Sequence, residues 1–260
     1  MKYVISLILR KVPRKYIQLI NKPVLGVIGF FLRGNKYTCP IINKSYRKFL
    51  PYGRINPRPN ALCPGSLSLE RHRLLWLYLK AKTNFFKNQL KFLHIAPEQC
   101  FMEPFQKQHE SGYITADLES PLAQVKMDVH NIPFESDHFD VVMCNHVMEH
   151  VNHDIKAMEE IYRVLRPGGW AIMQVPFFPP IPEVTFQDDS IVDPLEREKA
   201  YGQDDHVRLY GKDYPDRIRK AGFEVNEDNF IESFSSEEIK RYSLVKDEVI
   251  FLCKKVSASL

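Results

Sequence analysis

No aspartate or glutamate occurs among the first 69 residues, which carry thirteen lysines and arginines. The rest of the 260-residue chain holds 23 basic and 32 acidic side chains. A net charge of only +4 therefore hides a basic arm on an acidic body. Such a distribution suggests a polyanionic surface as partner. The apolar runs Val4–Leu9 and Pro23–Leu32 interleave with the charges, which favours anionic lipid over nucleic acid. No apolar run reaches the roughly 18–20 residues that span a bilayer. Tyr3–Leu9 is short and runs into Arg10-Lys11 without a small-residue cleavage site, which argues against a signal peptide. The five cysteines show no paired spacing, which argues against a disulfide framework. A reducing, cytoplasmic setting is expected, peripheral to the inner face of the membrane. There is no G-x-G-x-x-G run, which argues against a nicotinamide-dependent oxidoreductase. Internal repeats and low-complexity tracts are also lacking.

What is present is concentrated in residues 91–176. Four strand-length apolar runs occur there: Phe92–Ile95, Tyr113–Ala116, Phe139–Cys144 and Trp170–Val175. Between the last two, Ile155, Met158, Ile161, Tyr162 and Leu165 recur at helical spacing, and Pro167-Gly168-Gly169 is expected to stop that helix. Strand–helix–strand alternation means parallel pairing with covering helices. The ligands of such sheets sit beyond the carboxyl ends of the strands. The candidate residues are therefore His94–Cys100, Asp117, Asp128 and Cys144–His150. Asp117 ends the second strand, where a carboxylate accepts hydrogen bonds from ribose hydroxyls.

FDVVMCNHVMEHV followed by EIYRVLRPGGWAIMQVP resembles the core of class I S-adenosylmethionine-dependent methyltransferases, of the type 11-like kind. The resemblance implies an α/β, Rossmann-like, doubly wound sheet of seven mostly parallel strands with an antiparallel last strand. It implies S-adenosylmethionine as cofactor, with Asp117 on the ribose and Asp128 near the adenine amino group. The loop of His94, Ala96, Pro97 and Glu98 would wrap the methionine portion, and Val129, Asn145 and His146 are further expected cofactor contacts. This loop departs from the family pattern because it contains no glycine, the residue that lets a backbone approach a ligand closely. A subgroup resemblance extends over Leu93–Glu98, Ser66–Leu79 and Gly202–Gly211. That subgroup carries a zinc ribbon upstream. Here Cys39 and Cys63 remain, but Ile42 and Ser66 stand where their partners would be. Structural zinc takes four ligands, so no zinc is expected.

Two domains follow: a basic extension over residues 1–65 and a catalytic domain over 66–260. Residues 1–33 read as one or two amphipathic helices interrupted at Pro13 and Pro23, and 34–65 as irregular, with Tyr37, Tyr46, Phe49 and Tyr52 keeping a ribbon-like shape. Ser66–Lys82 reads as a helix. Its Arg71, His72 and Arg73 face either a ligand or solvent. Phe177–Ala200 reads as a long loop over the ligand edge. Phe223–Val225 and Asp247–Lys254 read as the last two strands, paired antiparallel.

Methyl transfer to an alcohol benefits from a base, and imidazole suits that task. His150 and His206 are the candidates, with His146 behind them. His146 and His150 share a face if the next helix begins early. Asp205 would orient His206, and Arg208 would hold an anionic group of the acceptor or pair with Asp205. The run His146-x-x-Glu149-His150 resembles an inverted zinc-protease motif. No metal is expected there, because its flanks fit the methyltransferase pattern. The leading expectation is transfer to a hydroxyl of a small molecule or glycan. A cofactor-binding scaffold without catalysis is the alternative.

Overall fold

The computed structural model describes residues 14–53 and 57–257. In chain order the helices are α1 (Arg14–Phe31), α2 (Glu70–Lys82), α3 (Gln99–His109), α4 (Asp154–Val164), α5 (Pro194–Tyr201), α6 (Tyr214–Lys220) and α7 (Ser236–Tyr242). The strands are β1 (Arg33–Cys39), β2 (Lys44–Tyr46), β3 (Leu50–Tyr52), β4 (Arg58–Leu62), β5 (Phe92–Ile95), β6 (Tyr113–Asp117), β7 (Val125–Lys126), β8 (Phe139–Cys144), β9 (Leu165–Ile172), β10 (Glu224–Asp228) and β11 (Ile250–Lys254). The chain divides into two compact units. One comprises Met1–Lys87, Glu98–Lys107 and Asn229–Glu248; the other comprises Asn88–Pro97, Gln108–Asp228 and Val249–Leu260.

In the first unit, α1 continues through Pro23 instead of stopping there. A proline removes one backbone donor, and this 18-residue helix absorbs the loss. The expected break at Pro13 lies outside the described residues. Residues 34–65, expected to be irregular, form two antiparallel ribbons, β1 with β2 and β3 with β4. Tyr37 and Tyr46 both pack on Phe49, with ring centres 5.5 and 5.8 Å apart, while Tyr52 is exposed. Cys39 and Cys63 are fully buried. Cys39 Sγ lies 3.2 Å from Ser66 Oγ and 3.5 Å from Ser68 Oγ. A hydrogen bond from Cys63 holds the Cys39 thiol below its ordinary pKa; burial opposes it, and the two serines assist. Two thiols and two hydroxyls thus make a hydrogen-bonded core at the expected ribbon position.

Those serines also delay the next helix, which starts at Glu70 and not at Ser66. Arg73 is fully buried and faces neither ligand nor solvent. It donates to the carbonyls of Ala61, Ser68, Tyr242 and Ser243 at 2.6–3.0 Å. Such a guanidinium satisfies chain ends that no ladder reaches. Trp76 stacks on Phe101 and Phe105 at 6.3 and 5.8 Å.

The second unit holds a seven-stranded sheet in the order β10-β11-β9-β8-β5-β6-β7. β9, β8, β5, β6 and β7 pair in parallel, and β11 runs antiparallel to both β9 and β10. This is the Rossmann-like arrangement expected, and its central strands read as apolar runs because both faces are covered. All four residues of β5 are buried, as are five of the six in β8. α4 buries Ala157, Met158, Ile161 and Val164 against this core. It ends before Pro167-Gly168-Gly169, which instead lies inside β9. Strand order reverses between β5 and β8. That switch point is where sheets of this kind open a ligand crevice.

Asp154, the first residue of α4, is a buried hub. It accepts from Arg217 at 2.7 and 2.8 Å and from Tyr210 Oη at 2.9 Å. Burial alone would raise its pKa, but these donors and the Arg208 charge bring it below the ordinary carboxylate range. The folded pKa therefore lies below the unfolded value of about 3.9. Its stabilisation is complete above that value and is lost as pH falls through the folded pKa. Asp154→Asn is expected to be less stable at pH 7 and to lose less stability than wild type on further acidification below about pH 4. Urea titrations across pH measure this directly. An unchanged pH slope would remove Asp154 from the account.

Candidate active site

Both strands that flank the switch point leave the sheet through a left-handed, non-glycine residue. After β5, Ala96 has φ +50° and its N–H donates to Ala116 O at 2.8 Å. After β8, His146 has φ +55° and its N–H donates to Gln174 O at 2.7 Å. Positive φ in residues with a Cβ is uncommon and strained. The glycine-free first loop therefore adopts a turn of the kind glycine would have eased. Pro97 and Glu98, half-buried, lead from it into α3.

The expected cofactor residues lie as follows. His94 is fully buried within β5, with Nδ1 2.8 Å from Tyr113 Oη and its ring stacked on Phe92. It is a core residue that holds β5 against the start of β6. Asp117 ends β6, and its Oδ1 accepts from the N–H groups of Glu119 and Ser120 at 2.8 and 2.7 Å. Oδ1 thus shapes the following loop. Asp128 is exposed and pairs with His130 Nδ1 at 2.7 Å. A hydrogen bond from the His130 N–H holds its pKa down. Val129 is buried beside it. Asn145 is buried, and its Oδ1 accepts from Gln174 N–H at 3.3 Å.

His146 and His150 would share a helix face only if the helix after β8 began early. It does not: α4 begins at Asp154, so His146 and His150 occupy turns. The turns converge on the segment after α5. Gly202 caps α5 with φ +88°, a conformation that reverses the chain at little cost only for glycine. The reversed chain donates Val207 N–H to Glu149 O at 2.9 Å. At the other end Gly211 is not left-handed. A Cβ there would meet Val184 and Thr185 backbone at 2.6 and 2.7 Å, so close approach is what requires glycine.

This docking assembles Glu149, His150, Asp205 and His206. The His150 and His206 rings meet edge to face, with centroids 4.8 Å apart. His150 Nδ1 lies 3.2 Å from Asp205 O, and His206 Nδ1 lies 3.2 Å from Tyr201 O. A carbonyl only accepts, so each Nδ1 carries the proton and each Nε2 keeps a lone pair. Glu149 Oε1 is 3.5 Å from His146 Nδ1 and 4.0 Å from His150 Nε2. Among the described residues, Glu149 Oε2, His146 Nε2 and His206 Nε2 are buried without a hydrogen-bond partner. Burial pushes the His206 pKa down, with Glu149 opposing. Burial would raise that of Glu149, but His146 and His150 hold it below the ordinary range. The site thus keeps a carboxylate beside a His206 imidazole whose charged form burial disfavours.

Two of the four expected catalytic residues take other roles. Arg208 is fully buried and donates to the carbonyls of Met148, Val151 and Asn152 and to Gln187 Oε1. Its fork is occupied by main chain, so it holds no acceptor anion and does not pair with Asp205. Asp205 faces His150, with Oδ2 3.6 Å from Nδ1, and does not orient His206; Tyr201 O does that. Glu149, not among the expected catalytic residues, lies at the centre of the cluster. Its position next to His150 gave no sign that His206, 57 residues on, would reach it.

Residues 93–173 match the family described as a methyltransferase domain. Fold and match point to one class: this stretch is similar to a methyltransferase domain, and its sheet is Rossmann-like. Among curated proteins, a ubiquinone/menaquinone biosynthesis C-methyltransferase of Methylococcus capsulatus is 34% identical over 56 residues, 22% of this chain and 23% of that one. An uncharacterised protein of Methanocaldococcus jannaschii is 42% identical over 48 residues, 18% of this chain and 21% of that one. The alignments thus span less than a quarter of those relatives. Among solved structures, an S-adenosylmethionine-dependent methyltransferase of Mesorhizobium loti is 14% identical with TM-score 0.49, covering 69% of this chain and 96% of that one.

Proposed function

We propose that this protein transfers the methyl group of S-adenosylmethionine to a hydroxyl of a small molecule or glycan. The observation that supports the reading is the bare, buried His206 Nε2 beside Glu149 and His150, at the carboxyl edge of β8. The attacking oxygen forms its bond to the methyl carbon as the carbon–sulfur bond breaks. Sulfur keeps that electron pair, and the hydroxyl proton goes to an imidazole nitrogen. The fold supplies orientation, and the cofactor supplies the reactive group. Incubation of labelled cofactor with total cell extract tests this. A labelled product with an ether methyl and release of S-adenosylhomocysteine is expected. Cofactor binding without turnover in any extract would support the second reading, a scaffold, which the strained Ala96 turn favours.

Cofactor binding through Asp117 has its own test. Asp117→Ala is expected to weaken S-adenosylmethionine binding by about 1–3 kcal/mol, because ribose hydroxyls lose a charged acceptor. Calorimetry that finds wild-type affinity would remove Asp117 from the cofactor site.

The proposal includes a partner at the inner membrane surface. Val24, Val27, Ile28 and Phe31 recur at i, i+3, i+4 and i+7 on α1 and are 37–70% exposed. One apolar helix face beside a basic arm suits an anionic bilayer. Among the described residues, no helix is long and apolar enough to cross a membrane. Binding to vesicles of anionic phospholipid is expected, with release as salt shortens the screening length from roughly 10 Å at 0.1 M. Equal binding to neutral vesicles would leave insertion of the apolar face alone.

A further inference from the structure

The same cluster has a property that proton transfer does not require. Glu149, His150 and His206 each offer a ligand atom, and these atoms all lie within 4.8 Å of one another. Both imidazoles donate Nδ1–H to a backbone carbonyl, Asp205 O for His150 and Tyr201 O for His206. That bond fixes the tautomer with Nε2 unprotonated and sets the ring plane, as is usual for histidines that ligate metals. Glu149 Oε2 and His206 Nε2 are buried and have no protein donor, although such atoms are normally satisfied. Glu149 is 2% exposed and His206 1% exposed. One proton donor between them would suffice for either atom; none is there among the described residues. A cation answers a carboxylate oxygen and two imidazole nitrogens at once.

We propose that Glu149 Oε2, His150 Nε2 and His206 Nε2 bind a divalent transition-metal cation. Two imidazoles and one carboxylate suit Zn²⁺, Mn²⁺, Co²⁺ or Fe²⁺ better than Ca²⁺ or Mg²⁺, which take oxygen ligands. Bonds of about 2.0–2.2 Å require ligand atoms roughly 3–3.5 Å apart, so binding draws the three together by about 1 Å. Three protein ligands leave a position open for an oxygen of the acceptor. This deepens the reading of O-methylation, on which it rests for the identity of that oxygen. A hydroxyl bound to the cation releases its proton to water more readily, and His206 then serves as ligand. Cys39 and Cys63 are a separate matter, since their hydrogen-bonded core belongs to the other unit.

Metal binding is measured without cofactor or acceptor, so its failure and the failure of methyl transfer are separable. The full-length protein, stripped with chelator, is titrated with Co²⁺ and followed by visible absorption, and with Mn²⁺ by calorimetry. One equivalent per chain is expected, with a rise in melting temperature on saturation. Glu149→Gln and His206→Asn are each expected to weaken binding at least about tenfold and to abolish the metal-dependent rise. Cys39→Ser/Cys63→Ser is expected to bind as wild type. Should one ligand variant fail to fold, His150→Gln supplies the comparison. Absence of saturable binding, binding that all ligand variants retain, or binding lost with the cysteines would each overturn the proposal. Turnover in the presence of chelator would overturn the catalytic part and leave the site itself.

Discussion

His206→Asn is expected to lower turnover by about 10²–10⁴-fold, with cofactor affinity and melting temperature close to wild type. Asparagine is chosen because its amide reproduces the bond that Nδ1 makes to Tyr201 O at 3.2 Å. It removes only the second nitrogen, the bare Nε2. Whether Nε2 takes the hydroxyl proton or ligates a cation that polarises the hydroxyl, its loss falls on the chemical step. Ala96 and Asp117, the expected cofactor contacts, lie at the ends of β5 and β6 and make no bond to His206. A drop in KM-independent turnover with unchanged binding is therefore the signature. Near-normal turnover with a large melting loss would mean that His206 only packs against the His150 ring.

Arg208→Met is expected to do the reverse: about 3–5 kcal/mol less stability. The fully buried guanidinium donates to three carbonyls, of Met148, Val151 and Asn152, that no strand or helix satisfies. Methionine fills the volume but leaves the carbonyls of Val151 and Asn152 without that donor, while Met148 O keeps only the Tyr210 hydroxyl; an unsatisfied acceptor costs roughly 1–3 kcal/mol where it is buried. Asp154 also loses a cation at 3.9 Å, though Arg217 remains. Turnover measured well below the melting transition should fall because the turns carrying Glu149 and His150 loosen, and saturating cofactor should not restore it. Equilibrium denaturation checks the stability. A variant as stable as wild type but unable to turn over would return Arg208 to the acceptor site.

The first expectation keeps the role that sequence reasoning suggests for His206, and the second replaces the one it suggests for Arg208. In the run from Asp205 to Arg208, charge marks both ends as functional. Nothing local distinguishes an arginine that meets an anion from one that meets backbone carbonyls. The distinction depends on where residues 148–152 lie, and they are more than fifty positions away. The same limit applies to Arg73, whose acceptors in β4 and at the end of α7 are distant in sequence. Helix starts fail for a related reason. Ser66 and Ser68 look like a helix entry, but tertiary contact with Cys39 claims their hydroxyls.

The sheet was legible because its evidence is local. β5 and β8 are continuous apolar runs, α4 repeats at helical spacing, and a residue's side chain meets the core according to that period whatever the rest of the chain does. Strand type and the parallel pairing follow from it, and so does the edge at which ligands sit. The basic arm is legible too, since charge needs no partner to be counted. What remained open was which polar groups face each other. His146, His150 and His206 were all credible bases by position. Only the reversal at Gly202 and the bond from Val207 to Glu149 bring His206 onto His150 and leave the Nε2 of His206 bare. Hydrogen bonding is short-ranged and directional, so a shift of one or two ångströms decides it, and residue spacing along a chain carries no information at that scale.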